Sequence, residues 1–487
     1  MNPDYAGLFS ALQPETALVV GSLAVLGLDL SVFRRHPVAE RLRLALWVAS
    51  LAVLTAGAGV WLGARGAVYG GVLILDHLAV ATRLGVLALT LLTLGVARGA
   101  APPRQPAEYV AVILFAATGL MLMAAAQQLL IAFLSLELAS LSLYVLAGFD
   151  RARPESAEAA LKYFLFGGMA AAFLLFGFSL IYGVTGSIEL PQIAAQISLQ
   201  GADPLLMVAI VMVLVAFGFK VAAAPFHLWA PDVYQGAPTS SAALISSASK
   251  LAGFTLFTRL LWPGFHGAVG NVYALTAGPG WLPVVAVLSA ASLLLGNFAA
   301  LAQSSLRRLL AYSAIAHSGA LLLGVMAAGR SGPAPLFYYA STYGLATVGA
   351  FGVISAMERE GRCEYITDLA GLHRRSPLLA GCLAVFILSL AGIPPLAGFF
   401  GKFMVFAAAL RLGGVAGPAG WLAILAIALS AVALYYYLIV LKQALVAAPA
   451  ADARPIKVPR VTALTLVAAA ALIVWFGLDP TQLLGLF

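Results

Sequence analysis

The sequence predicts an all-α integral membrane protein of about 14 transmembrane helices, with two inverted five-helix repeats that each contain a broken helix. Three observations lead there. Hydrophobic residues make up 62% of the 487 positions and charged residues 9%, against roughly 45–50% and about 25% in ordinary soluble domains. Apolar runs of about 20 residues, the length that crosses a hydrocarbon core of roughly 30 Å, recur along nearly the whole chain. The apolar/polar alternation of a membrane barrel is absent, so the runs read as helices.

In chain order the runs fall near 15–33, 43–63, 74–97, 108–126, 128–149, 159–184, 204–224, 239–262, 281–303, 307–329, 334–357, 376–411, 419–447 and 459–479. The first has Asp4 and Glu15 near it and no Lys or Arg before Arg34, the wrong flank for a cleaved signal peptide, so it is expected to remain as a helix. The twelfth is too long for one simple crossing and is interrupted by Ile393-Pro394-Pro395, while Pro225 and Pro231 break the chain after the seventh. Both therefore read as discontinuous helices. The expected organisation is an N-terminal three-helix segment (1–104), a first repeat (105–265), a second repeat (280–448) and a C-terminal helix (456–487). Five helices per block is an odd number, so the two copies are inverted relative to the membrane. In the sixth run Gly167, Ala171 and Leu175, with Gly168 and Ala172, have the small-residue spacing of close helix packing.

The formal charge of +8 raises the question of nucleic acid, yet no basic cluster with interleaved aromatics is present. The partner of the basic residues is the bilayer. Eighteen of the 27 Lys and Arg, Arg362 among them, fall after odd-numbered runs, and four fall after or at the ends of even-numbered ones. The positive-inside rule then puts the odd connections in the cytoplasm and both termini on the outer, periplasmic side. The remainder is Arg83, Lys162, Lys220, Lys250 and Lys402, all inside predicted spans. A charge at the bilayer centre costs at least about 2.5–3.5 kcal/mol on insertion scales, which asks for a function. Cys363 and Cys382 lack CxxC or Cys/His ligand spacing, so neither a metal site nor a disulfide framework is expected.

Glu137 lies well inside a helix that carries no basic residue and needs a partner from elsewhere. Lys220, just before the Pro225 break, is the first choice, because freed carbonyls and water can solvate it there. The pair reads either as a switchable proton site or as a static ion pair. Lys250 follows a polar stripe, with Ser246 and Ser247 at i−4 and i−3 expected on its helix face and able to hold a water chain. A lysine without a nearby carboxylate suits a proton relay, which must release its proton as readily as it accepts it. Lys402 in GFFGKF resembles a phosphate loop only loosely, since the GxxxxGK[ST] spacing is missing and Phe403 stands where a hydroxyl is required. As a relay after a helix break it makes physical sense. Lys162, one turn into its predicted helix, is either part of the relay or reaches the cytoplasmic surface. His227 and His317 are either relays or hydrogen-bonding structural residues. Arg83 cannot release a proton and is expected to be structural or lipid-facing. Asp232 is expected to cap or bridge the broken helix near the outer side.

SLELASLSLYVLAGF, EAALKYFLFGGMAAAFLLFGFSLIYGVTGS, FGFKVAAAPFHLWAPDVYQGAPT, LRRLLAYSAIAHSG and SLAGIPPLAGFFGKF together resemble the N subunit family of bacterial NADH:quinone oxidoreductase, respiratory complex I, related to mitochondrial subunit 2. The match spans roughly residues 105 to 445. The sister L and M subunits and Mrp-type cation/proton antiporters share the seventh- and eighth-helix motifs. Lys402 stands where the M-type pattern carries a glutamate, and the chain stops at Phe487 without the lateral helix of L. Arg307-Arg308 replaces the family's usual Lys-Arg, a change expected to be neutral.

The resemblance implies that Glu137 pairs with Lys220, Lys162 modulates or feeds that pair, Lys250 bridges, and Lys402 faces the exit, with His317 at the family's tenth-helix histidine. It implies a translocase subunit without a redox centre of its own. NADH, flavin, iron–sulfur clusters and quinone then belong to partner subunits, and the membrane partners include M-type and small K/J-type subunits. The alanine-rich, lysine-poor composition points to a bacterial plasma membrane. Two other readings stay open: a stand-alone Mrp-type cation/proton antiporter subunit, and a scaffold without a proton path.

Overall fold

The computed structural model describes residues 5–100, 103–201, 203–271, 280–361, 363–415, 417–449 and 454–487; Asp4 and Arg362 lie outside the described residues. In chain order its main helices are α1 (Gln13–Ser31), α2 (Val38–Leu62), α3 (His77–Ala97), α4 (Pro106–Ala125), α5 (Leu129–Ala147), α6 (Pro154–Thr185), α7 (Pro204–Lys220), α8 (Trp229–Gly236), α9 (Thr239–Ser246), α10 (Ala248–Arg259), α11 (Trp281–Leu301), α12 (Leu306–Ser331), α13 (Ala334–Glu358), α14 (Pro377–Ala391), α15 (Ala397–Gly413), α16 (Pro418–Leu445) and α17 (Arg460–Leu478). Among the described residues 11 helices are long and apolar enough to cross a membrane, and α7 and α14 are shorter apolar helices. The chain is thus a multi-pass, all-helical membrane protein; a two-stranded antiparallel hairpin, Gly66–Val68 with Leu73–Leu75, joins α2 to α3.

Burial orders the helices by polarity. The spanning windows of α12 and α13 are 94% and 100% buried, whereas those of α6 and α17 are 33% and 28%. α12 carries Ser313, His317 and Ser318, and polar groups of that kind are costly against lipid, so these helices take the centre. α12 also packs closely on α11. A side chain at Gly296 would bring its Cβ to 2.4 Å from the Ala316 backbone nitrogen, and one at Gly319 to 2.8 Å from that of Leu293.

Several expectations are corrected here. The eighth span is also broken: Ser247, at φ −115° and ψ −84°, separates α9 from α10 without a proline. Pro231 interrupts nothing, since it lies in the first turn of α8. α6 begins at Pro154, so Lys162 is two turns inside it rather than one. On α6 only Gly167 of the small-residue pair meets a neighbour, the Tyr144 side chain; Gly168 faces open space and Leu175 is exposed, so the spacing marks two different faces. Arg83 does not face lipid. It is buried and forks onto Glu15, at 3.1 and 2.6 Å, with a further bond to the Ala11 carbonyl.

Candidate functional site, a buried row of lysines

The end of α7 is a place where helix bonding stops and side chains take over. Ala222 adopts a left-handed backbone, φ +55°, and Pro225 has no N–H to continue the helix. Three backbone groups there find side-chain partners, as low-dielectric surroundings favour. The Phe219 carbonyl accepts from Trp229 Nε1 at 3.0 Å, the Ala224 N–H donates to Ser292 Oγ at 2.8 Å, and the Val221 carbonyl accepts from Ser318 Oγ at 2.6 Å. Two of these partners come from α11 and α12, so the second half of the chain holds open the break in the first.

Lys220, the last residue of α7, is buried and donates to Ser140 Oγ at 3.1 Å. Ser140 lies three residues after Glu137 on α5, hence on the same helix face. Glu137 and Lys220 do not form a direct ion pair within 4.0 Å among the described residues; they interact through space with the serine hydroxyl on the lysine side. Glu137 is half-buried, and its Oε1 has no hydrogen-bond partner among the described residues. A cavity of about 10 Å³ for water centres, close to the space one water occupies, lies against Ser140, Tyr144 and Lys220.

Lys250 reaches across from α10 to α12. It donates to the Ala314 carbonyl and, at 2.7 Å, to Ser318 Oγ, and its ammonium lies 5.2 Å from the centroid of the Tyr343 ring. Ser318 therefore touches both the break after Lys220 and the ammonium of Lys250. Ser246 and Ser247 do not serve Lys250, because both hydroxyls donate to the Ala243 carbonyl of their own helix.

His317, next to Ser318, stands between two phenols: Nδ1 is 2.6 Å from the Tyr339 hydroxyl and Nε2 is 3.1 Å from that of Tyr437, which also meets Ser313. Hydroxyls donate or accept, so either tautomer of the ring is accommodated. His317 and Lys402 line one cavity of about 20 Å³ for water centres, together with Asn297, Tyr339 and Tyr436. Lys402 donates at 2.9 Å to the Ala391 carbonyl, which is free because α14 ends there. Gly392 turns the chain at φ +86°, and a Cβ on it would come within 3.0 Å of Lys402 Cδ.

Two candidates stand apart from this row. Lys162 bonds Glu158 and Asp232, each at 2.6 Å. Asp232 is held also by Arg308, at 2.7 Å, so it lies at the arginine-rich end of the bundle. His227 lies in the α7–α8 connection between exposed Pro225 and Leu228, and its Nδ1 lacks a partner among the described residues. Arg307 is more than a replacement for lysine. Its guanidinium donates to the carbonyls of Gln235 and Ala237, at 3.0 Å each, and to Thr239 and Glu358, a fork that an ammonium cannot reproduce. The expectation of neutrality at this position is therefore not supported by the contacts.

Sequence reasoning passed over Ser140, Ser318, Tyr339, Tyr343 and Tyr437. Tyr339 and Tyr343, four residues apart on one helix face, were the available signal. Among the described residues no three His, Cys, Asp or Glu side chains cluster as metal ligands would.

A bundle of broken helices enclosing a polar, lysine-lined axis defines an antiporter-like membrane subunit. Residues 126–434 match the model of the NADH:quinone oxidoreductase/Mrp antiporter transmembrane family, and the chain belongs to that family. It is 48% identical over 494 residues, 99% of each chain, to NADH-quinone oxidoreductase subunit N 2 of Acidobacterium capsulatum. Its structure is similar to a chain of respiratory complex I from Thermus thermophilus with bound aureothin, with a TM-score of 0.78, 33% identity and coverage of 97% of this chain and 99% of that one. A chain of the Mrp complex from Dietzia sp. shares the fold, with a TM-score of 0.79 at 23% identity over 97% and 96% of the two chains. Within the family this chain groups with the N subunits, and it is a proton-translocating membrane subunit of the oxidoreductase complex.

Proposed function

We propose that Glu137, Lys220, Lys250 and Lys402 form a proton relay along the middle of the membrane, with Ser140, Ser318 and His317 as connecting groups. One observation carries the reading: Ser318 bonds both the carbonyl freed by the α7 break and the Lys250 ammonium, and His317 beside it shares a cavity with Lys402, which is bonded to the carbonyl freed by the α14 break. Placing or removing a charge about 6 Å from a lysine changes its proton affinity by roughly 3 kcal/mol at an effective dielectric constant near 20, about a hundredfold. A change at Glu137 is therefore large enough to move a proton off Lys220 and to bias the next site. Lys162 and His227 act at the edges of this relay, Lys162 through Asp232.

The broken spans α7–α8, α9–α10 and α14–α15 bring the crossings to fourteen, and the breaks after α7 and α14 are corresponding points of two inverted repeats, 105–265 and 280–448, flanked by a three-helix segment and a C-terminal helix. In a bacterial plasma membrane, with both termini outside, transfer runs from the arginine-rich side to the other. The energy comes from oxidation of NADH and reduction of quinone by partner subunits that hold the flavin and iron–sulfur clusters, reaching this chain through M-type and K/J-type neighbours.

The shared fold of the Mrp complex favours one second reading, an independent cation/proton antiporter. Purification separates the two. A pump subunit co-purifies with redox subunits and shows no cation-dependent proton flux when placed alone in vesicles; flux by the lone chain supports the antiporter.

A further inference from the structure

We propose that Arg43 and Arg98, together with Trp47, form a binding site for an anionic phospholipid, with the two guanidiniums on its phosphate. The arginines come from neighbouring helices: Arg43 lies in the second turn of α2, and Arg98 is the residue that follows α3. α3 ends at the arginine-rich end of the bundle, because the Val96 carbonyl accepts from Ser355 Oγ, about one turn before Glu358 and its partner Arg307. Arg98 is half-buried, stands 5.4 Å from the centroid of the Trp47 ring and faces the positive charge of Arg43. Burial, and after it the charge of Arg43, hold the Arg98 guanidinium below the ordinary arginine range.

Two like charges so placed ask for an anion, and the nearby carboxylates are turned elsewhere. Asp29 is forked by Arg41, Glu40 faces His36 at 3.3 Å, and Glu108 acts on Arg41. Neither the Arg43 nor the Arg98 guanidinium has a hydrogen bond or an ion pair among the described residues. A phosphate relieves this arrangement, since it is charged at neutral pH and accepts paired hydrogen bonds from guanidinium. The face of α2 shows what the phosphate is attached to. Arg43, Trp47, Leu51 and Leu54 share that face, and the last three are 58%, 63% and 57% exposed. Along the axis Trp47 is about 6 Å, and the leucines about 12 and 16 Å, from the level of Arg43. Charge, interfacial indole and aliphatic surface thus follow in the order of phosphate, glycerol ester and acyl chain in a phospholipid. A zwitterionic lipid would bring a third positive charge to the arginines, so phosphatidylglycerol binds in preference to phosphatidylcholine.

The test uses the assembled oxidoreductase in phosphatidylcholine vesicles that carry a trace of either phosphatidylglycerol or phosphatidylcholine with a diazirine near the top of one acyl chain. After illumination the labelled peptides are mapped by mass spectrometry and normalised to the total label taken up by the complex. The peptide holding Trp47 and Leu51 is expected to take up about fivefold or more of the anionic probe relative to the choline probe, the effect of about one basic residue at an anionic surface. The preference is expected to vanish in the double variant Arg43→Gln/Arg98→Gln, and to fall at least about twofold in Arg43→Gln, whose exposed position leaves assembly intact. Redox-driven proton translocation stays at the wild-type rate in both, because neither arginine touches the lysine row. Equal labelling by the two probes, no labelling of that peptide by either, or a preference that survives in both variants overturns the site. Displacement of the anionic probe by inorganic phosphate assigns the arginines to free phosphate and overturns the lipid.

Discussion

Arg83 and Lys250 carry equal charges inside the membrane and are solved in opposite ways. Arg83 is matched by the Glu15 carboxylate in a buried, forked pair, whereas Lys250 is held by a carbonyl, a hydroxyl and an aromatic face, none of which opposes its charge. The first arrangement holds a charge in place; the second permits its loss. Removing one partner of a buried pair typically costs about 3–5 kcal/mol, so Glu15→Ala is expected to lower the thermal midpoint of the purified complex clearly, and an unchanged midpoint would mean that Arg83 is solvated otherwise. Gly392 supplies a second residue-scale prediction. Alanine at its left-handed φ costs about 1–2 kcal/mol, and the added Cβ presses on Lys402. Gly186, also left-handed at φ +70° and ψ 8° but facing open space, isolates the backbone cost. Gly392→Ala is expected to lose proton translocation while Gly186→Ala keeps it; equal rates in the two would show that the position of Lys402 does not matter. The lysines were legible in the sequence because their cost in a bilayer is visible residue by residue. Ser318 was not, since hydroxyls in membrane helices commonly bond their own helix, as those of Thr342 and Thr347 do, and nothing local distinguishes one that reaches across.

At the scale of elements, the breaks carry the proposed relay. Prolines announced two of them, after α7 and within the twelfth span, because a residue without an N–H cannot continue a helix. The third, at Ser247, has neither proline nor glycine to announce it. The partners of the freed groups were equally hidden, being supplied from helices some seventy to one hundred residues away in sequence. Ser292→Ala should strand the Ala224 N–H at a cost of about 1–3 kcal/mol. Hydrogen exchange followed by mass spectrometry should then show faster exchange in the peptide covering Val221–Leu228, with α13 unchanged as an internal reference. Wild-type exchange there would show that the serine does not hold the break.

For the whole molecule, composition disclosed the membrane, but not which helices sit at the centre. α12 and α13 have ordinary lengths and only moderate hydropathy; their near-complete burial follows from polar side chains that find partners on neighbouring helices. The result is a bundle whose outer helices face lipid or other subunits while the inner pair joins the two halves through His317, Ser318 and Tyr343. Arginine remains at one end, where Asp232, Glu358 and Glu364 meet Arg308, Arg307 and Gln235. In the proposed relay that asymmetry sets the direction of the axis. Its middle member is Lys250, and the most direct measurement is the number of protons moved per NADH oxidised by the assembled complex in sealed vesicles carrying Lys250→Ala. A relay through this chain requires the ratio to fall below that of the wild type in fully assembled complex, and an unchanged ratio at a wild-type rate would contradict it.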